Sequence, residues 1–186
     1  AALAKAGRGL GNLVYTMAAK KAYAFVRAKL MRNDGRLFRT YNAEAARGLA
    51  VSEDYAFVIW ALIELYETTL DAAYLSDTLR FQDAMIELFW DYTDYGFYYS
   101  GSDADLVLVR SKENYDGALP TANSISVCNL MRLSKITGKA VYEAHAQQII
   151  EANAWALNAQ PTAYAAMLQG LLWVQGPTSE IVIAGP

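Results

Sequence analysis

One cysteine and one histidine in 186 residues close off several kinds of chemistry. Cys128 alone forms no intramolecular disulfide. With His145 as the only imidazole, it also falls short of a zinc ligand set, so no metal and no cofactor are expected. Charge is scarce as well: 19% of residues are charged, the net charge is −3, and no basic cluster is present. That composition argues against a nucleic-acid footprint. No apolar run reaches membrane-spanning length without a charge, so no membrane partner is expected. The opening Ala1-Ala2-Leu3-Ala4-Lys5-Ala6 lacks the apolar core of a secretory signal, and a cytoplasmic location is the expectation. That opening reads as the middle of a helix and begins without Met, so the chain is expected to be a fragment.

What is abundant is apolar surface. Apolar residues make up 54% of the chain, with thirteen Tyr and four Trp. This length and composition support one domain with a sizeable core and exclude a mainly disordered chain. The central stretch is Ser52 to Tyr66. Ser52 reads as an N-cap, and Glu53 and Asp54 sit at the positive end of the helix that follows. From Tyr55 to Leu65 the run is almost wholly apolar, so it reads as an inner helix wrapped by others.

The remaining periodicity predicts helices at Ala1–Arg8, Tyr15–Leu30, Tyr74–Trp90, Ile125–Ile136, Val141–Ala154 and Tyr164–Val174. Gly9 and Gly11 end the first, Gly138 ends the fourth, and Gly176-Pro177 closes the last. Leu37–Tyr41 reads as a short strand or extended crossing, followed by a loop from Asn42 to Val51. A hairpin is expected at Tyr95–Arg110, and a strand at Glu180–Pro186. Apolar-all-round helices alternate with amphipathic ones such as Tyr74–Trp90. The fold class is therefore all-α: paired antiparallel helices in an incomplete ring, with one small β-hairpin. If the inner helices run the same way, their starts share one rim carrying Glu53, Asp54, Asp116 and Asn123.

Glycoside chemistry needs two facing carboxylates, and Asp54 with Asp116 are the candidate catalytic pair, Glu53 lying beside them. Each has a structural alternative, a helix cap for the first two and an Asp-Gly turn for Asp116. Arg110 and Lys112 flank the second loop and are placed to pair with Asp116 or to bind an anion. Sugar rings present apolar faces to aromatic side chains. Tyr55, Trp60, Tyr98, Tyr99 and Tyr115 are the candidates, with core filling as the alternative. The candidate ligand-binding set is Glu53, Tyr55, Tyr115, Asn123 and Arg110. His145 falls on an outer helix as a solvated or packed residue, and Cys128 reads as a small core hydrophobe. Gly7-Arg8-Gly9-Leu10-Gly11 follows no strand and reads as a helix terminator, not a nucleotide loop.

An ordered set of motifs carries a resemblance. Glu53-Asp54-Tyr55-Ala56-Phe57, Glu64-Leu65-Tyr66-Glu67-Thr68, Phe89-Trp90-Asp91 and Asp116 to Ser124 resemble landmarks of the YyaL-like, spermatogenesis-associated thioredoxin-domain proteins. The resemblance covers nearly the whole chain. It implies the C-terminal part of a six-hairpin glycosidase-like domain, a partial (α/α)6 toroid, with a thioredoxin-like domain upstream and absent here. The loop departs from the family's Pro-Ser-Gly-Asn-Ser. Pro120-Thr121-Ala122-Asn123-Ser124 keeps the hydroxyl and the amide but lacks the glycine that allows close backbone approach. The resemblance implies no particular reaction. It implies a carbohydrate-binding or carbohydrate-active module, taking a saccharide or other small-molecule ligand. The alternative is a non-catalytic interaction domain serving the thioredoxin-like domain. A fragment of such a ring bares surface that its missing helices would cover, and bare apolar patches promote association. Light scattering is expected to show this chain self-associating, and a clean monomer would count against that expectation.

Overall fold

The computed structural model describes residues 1–105 and 108–176. Helix α1 (Ala2–Leu10) is followed by α2 (Leu13–Phe25), which runs on into a π-helical turn at Val26–Leu30. Strands β1 (Phe38–Asn42) and β2 (Ala45–Leu49) come next. Then follow α3 (Ser52–Thr69), α4 (Ala72–Phe89), α5 (Ala122–Thr137), α6 (Ala140–Ala159), a 3-10 turn at Pro161–Tyr164 and α7 (Ala165–Gln175). Helices α1, α3, α5 and α7 pack side by side in that order, and α2, α4 and α6 back the first three from outside. The chain is thus an all-α partial toroid of antiparallel hairpins. The expected strand at Glu180–Pro186 lies outside the described residues.

The helix ends follow from local chemistry. Ser52 is buried, but its side chain is not the cap of α3. Instead Asp54 Oδ2 accepts the Val51 N–H at 2.9 Å, while the Ser52 N–H donates to Tyr99 O at 3.0 Å. Thr121 caps α5 through its hydroxyl, which accepts the Ser124 N–H at 3.2 Å. Gly138, at φ 70°, closes the same helix in the left-handed conformation that glycine adopts freely. The core is one cluster in which Tyr55, Ile59, Leu62 and Ile63 of α3 meet Phe81, Met85 and Phe89 of α4 and Leu130 and Leu133 of α5. Each such side chain contributes about 1.5–3 kcal/mol when fully buried. Where α7 crosses α5, Gly170 lies so close that a β-carbon there would overlap the Val127 side chain.

Among the described residues neither Tyr95–Asp105 nor Leu108–Arg110 forms a strand, and the hairpin lies at β1–β2. Its register pairs Phe38 with Leu49 and Asn42 with Ala45, leaving Ala43-Glu44 as a two-residue turn. Both turn residues take positive φ, 48° and 61°. That geometry matches the twist of paired strands, but it usually calls for Asn or Gly, so the sequence conceals it. In the later stretch Tyr95 and Gly96 also take positive φ, folding Phe97 back onto Trp90 as a single bridge. Leu106 and Val107 lie outside the described residues.

The loop before α3 is anchored on Tyr55. Its buried hydroxyl accepts from Arg36 Nη1 and from the Leu37 N–H, both at 3.2 Å. Arg36 also forks onto Asp103, at 2.8 and 3.2 Å. Tyr55→Phe keeps the ring but leaves the buried Leu37 N–H without a partner. A loss of about 1–3 kcal/mol in unfolding free energy is expected, measurable by chemical denaturation.

Candidate functional site

Between α4 and α5, the described residues 90–105 and 108–121 meet the starts of α3, α5 and α7 through Tyr99 and Asp116. The Asp116 backbone N–H donates to Ala163 O at 2.9 Å, its Oδ1 accepts the Thr121 N–H at 3.0 Å, and its Oδ2 accepts the Ala166 N–H at 2.9 Å. One carboxylate therefore joins the beginnings of α5 and α7. Asn123 does similar work within the loop. Its Oδ1 accepts the Phe97 N–H at 2.7 Å, and its Nδ2 donates to Phe97 O, Glu113 O and Asn114 Oδ1. The starts of these three inner helices consequently share one end of the structure.

The other candidates distribute differently. Glu53 and Asp54 both hold their protons more tightly than ordinary carboxyls. Burial raises Glu53, with Glu113 and Asp54 adding repulsion. Burial raises Asp54 further than the Val51 N–H and the Arg39 and Arg36 charges lower it. Tyr115 is exposed, at 64%. Tyr55 is not available to a ligand: it is fully buried, its ring against Phe81 and Phe89. Among the described residues Arg110 does not pair with Asp116. It lies over the Tyr98 ring and donates to Ser100 O and Leu88 O. Lys112 pairs with buried Asp91 instead, and His145 packs its ring edge-on against Trp90 at 4.4 Å.

A second polar group lies between the inner helices. Glu64 is 2% exposed and accepts from Arg132 Nη1 at 2.9 Å, Arg8 Nη2 at 3.3 Å and Trp60 Nε1 at 3.2 Å. Glu67 accepts from Arg8 Nη1 at 2.6 Å and from Arg132 Nε at 3.1 Å. The network joins α1, α3 and α5 on the concave side of the ring. It borders a cavity of about 320 Å³ that also touches α7. From Glu53 at the helix start to Glu64 is about 16 Å along α3, at 1.5 Å per residue. The network thus forms a floor beneath the shared end. Sequence reasoning missed it because α3 reads as apolar all round. The signal was the spacing of Glu53, Phe57, Trp60, Glu64 and Glu67, which is one helix face.

A larger hollow of about 500 Å³ lies between α1, α2, the hairpin and the other side of α3. Ala19, Val26, Leu37, Val58 and Leu65 make it mostly apolar, with Asp54 and Arg39 as polar wall residues. The smaller cavity is the richer one in chemistry. Among the described residues no three His, Cys, Asp or Glu side chains gather to hold a metal, and no helix is long and apolar enough to cross a membrane.

This arrangement of inner and outer helices is that of the α/α toroids with a six-hairpin glycosidase-like fold. A cellobiose 2-epimerase from Bacillus thermoamylovorans matches 81% of this chain over 40% of its own, at TM-score 0.66 and 13% identity. An α-mannanase of glycoside hydrolase family 76 from Bacteroides thetaiotaomicron matches 92% of this chain over 48% of its own, at TM-score 0.69 and 16% identity. Spermatogenesis-associated protein 20 of Rattus norvegicus is 35% identical over 95% of this chain, and that of Homo sapiens is 37% identical over 72%. An uncharacterised protein of Caenorhabditis elegans is 34% identical over 99%. The chain belongs to the family of spermatogenesis-associated protein 20, in its helical, glycosidase-like part. It spans only 23%, 17% and 26% of the length of these three relatives. No protein-family model matches the chain.

The floor network makes a stability prediction. Burial works to raise Glu67, but Arg132 and then Arg8 outweigh it and hold the group below its ordinary value of 4.5. A folded value below the unfolded one stabilises fully above about pH 4.5, and the contribution is lost as pH falls through the folded value. Urea midpoints are expected to drop on acidification below pH 4.5. Arg132→Met should flatten that slope and cost about 3 kcal/mol at neutral pH, because Glu64 stays buried with one guanidinium fewer.

Proposed function

We propose that the chain is part of a carbohydrate-binding or carbohydrate-active α/α-barrel module. In this reading its 186 residues are one helical unit of a larger barrel. The observation that carries the proposal is the concave face. There the Trp60 ring adjoins a paired-charge floor, with Trp173 on the same cavity, and the fold is shared with a cellobiose 2-epimerase and an α-mannanase. Sugars offer apolar ring faces for such aromatics and hydroxyls for the polar groups beside them.

Within the module, Asp54 and Asp116 remain the candidate carboxylates, with different emphasis. Asp54 is assigned the acid side, because burial raises its pKa at the start of α3, where its carboxyl stands in the wall of the larger hollow. Asp116, both of whose oxygens accept backbone N–H groups, holds the loops that shape the site. The alternative is a non-catalytic interaction domain serving an upstream thioredoxin-like domain. It draws support from the apolar edge of α1 and α2, where Leu10, Leu13, Val14 and Met17 are all about 70% exposed.

A glycan array probed with this chain tests the proposal, and specific retention of neutral oligosaccharides is the expected result. Asp54→Asn keeps an oxygen for the Val51 N–H, so stability should change little while ligand response is lost. Asp116→Asn gives up an acceptor for one of two backbone groups and should lower the melting temperature. A silent array, with the upstream domain retained on this chain in a pull-down, would move the conclusion to the interaction reading.

A further inference from the structure

Helix α2 has two apolar sides, and the core takes only one of them. Thr16, Ala19 and Tyr23 are its buried positions. At 3.6 residues per turn, Leu13, Val14, Met17, Lys21, Ala24 and Phe25 fall on the opposite side, and all six are exposed. Leu13 and Met17 are 74% and 69% exposed, and Phe25 sets its ring edge-on against Tyr41 of the hairpin at 5.4 Å. The outer helix α4 shows what a solvated face looks like in this fold. Its exposed positions at a similar spacing are Ser76, Arg80, Asp83 and Glu87. The outward side of α2 has instead the composition of a face that another helix covers.

Charge restricts what that covering helix carries. From Leu13 to Leu30 the chain has Lys20, Lys21, Arg27 and Lys29 and no acid, although acids outnumber bases 19 to 16 in the chain as a whole. Arg27 reaches Asp77 at 4.0 Å, and Lys29 lies over the Tyr41 ring. Lys20 and Lys21 are exposed and form no ion pair among the described residues. Helices that lie on a bilayer keep their basic residues on the polar face, beside an apolar one. Lys21 interrupts the apolar stripe itself, between Met17 and Ala24. The complementary surface is therefore apolar with an acid in its middle. A second copy meeting α2 face to face would set Lys21 against Lys21, which like charge disfavours.

We propose that the outward face of α2 is a docking surface for an amphipathic helix of a partner protein, with a Glu or Asp in its apolar stripe that pairs with Lys21. Leu13, Val14, Met17 and Phe25 receive the apolar ridge of that helix, and the small Ala24 lets its backbone approach. The surface gives the interaction reading a class of partner and does not depend on the carbohydrate reading.

The test uses two labelled synthetic peptides of about five helical turns. Both carry Leu and Ala along one face, with a single Glu or a single Lys in the middle of that face. Fluorescence anisotropy follows each as the 186-residue chain is added. The Glu peptide should bind at least about tenfold more tightly than the Lys peptide, since like charges set together at an interface are strongly unfavourable. Lys21→Glu should reverse that order, a result that loss of folding cannot produce. Met17→Ser should weaken the Glu peptide without changing the order. Equal binding of the two peptides, or an order that Lys21→Glu leaves unchanged, overturns the proposal. So does a chain that binds neither peptide. Its sedimentation with phosphatidylserine-containing vesicles would then assign the face to a membrane, and self-association abolished by Met17→Ser would assign it to a second copy. A thioredoxin-like upstream domain retained equally by the unaltered and Lys21→Glu chains would strike out this surface and leave the interaction reading standing.

Discussion

Glu64 is the constraint on which the inner ring turns. A carboxylate buried in a helix core is costly unless it is met by opposite charge and by hydrogen bonds. Here the partners come from two other helices, Arg8 on α1 and Arg132 on α5, 56 and 68 residues away in the chain. The requirement sets the register of α1 and α5 against α3, because a shift of one turn would move either guanidinium about 5.4 Å from its acceptor. Apolar packing alone would tolerate such a shift far better than this network does. The Trp60 indole is oriented by the same carboxylate, so the wall of the cavity inherits the precision of the floor.

The opposite end of the ring is organised by backbone satisfaction. Helix starts leave N–H groups without internal partners, and inner helices cannot give theirs to bulk water. Asp54, Asp116 and Thr121 accept some of these groups, and Asn123 holds the loop against them. Polar residues therefore gather at this end for structural reasons, whatever else they do. The same gathering gives the site its open rim, where Glu53 and Glu113 face each other closely enough to repel.

Sequence periodicity revealed the helices because each has a face to bury, and Gly11, Gly138 and Gly176 mark ends that the structure keeps. The inner and outer alternation was legible for the same reason. The hairpin was not, since Ala43 and Glu44 adopt a turn that their side chains do not advertise. The helix starts that carry Asp54 and Asn123, and the loop that carries Asp116, were legible in the sequence, but the use of those side chains was not. An oxygen offered to a ligand and one offered to a backbone N–H look alike in sequence. Tyr55 shows the limit most sharply, for an aromatic beside two acids became the buried anchor of the preceding loop. The floor network was invisible because its partners lie far apart in the chain.

Gly170 has a consequence for how such a ring can vary. Helix α7 approaches α5 so closely there that a single methyl would meet Val127. Trp173 follows three residues later on the same face of α7, so the gauge between the helices also fixes how far that indole stands from α5. The bore of the ring is in this sense metered by an atom that is missing. Enlarging residue 170 would act as a shim, widening the bore without altering any group that lines it. Variation at this one position would thus change the spacing of α5 and α7 while leaving the chemistry of the walls intact.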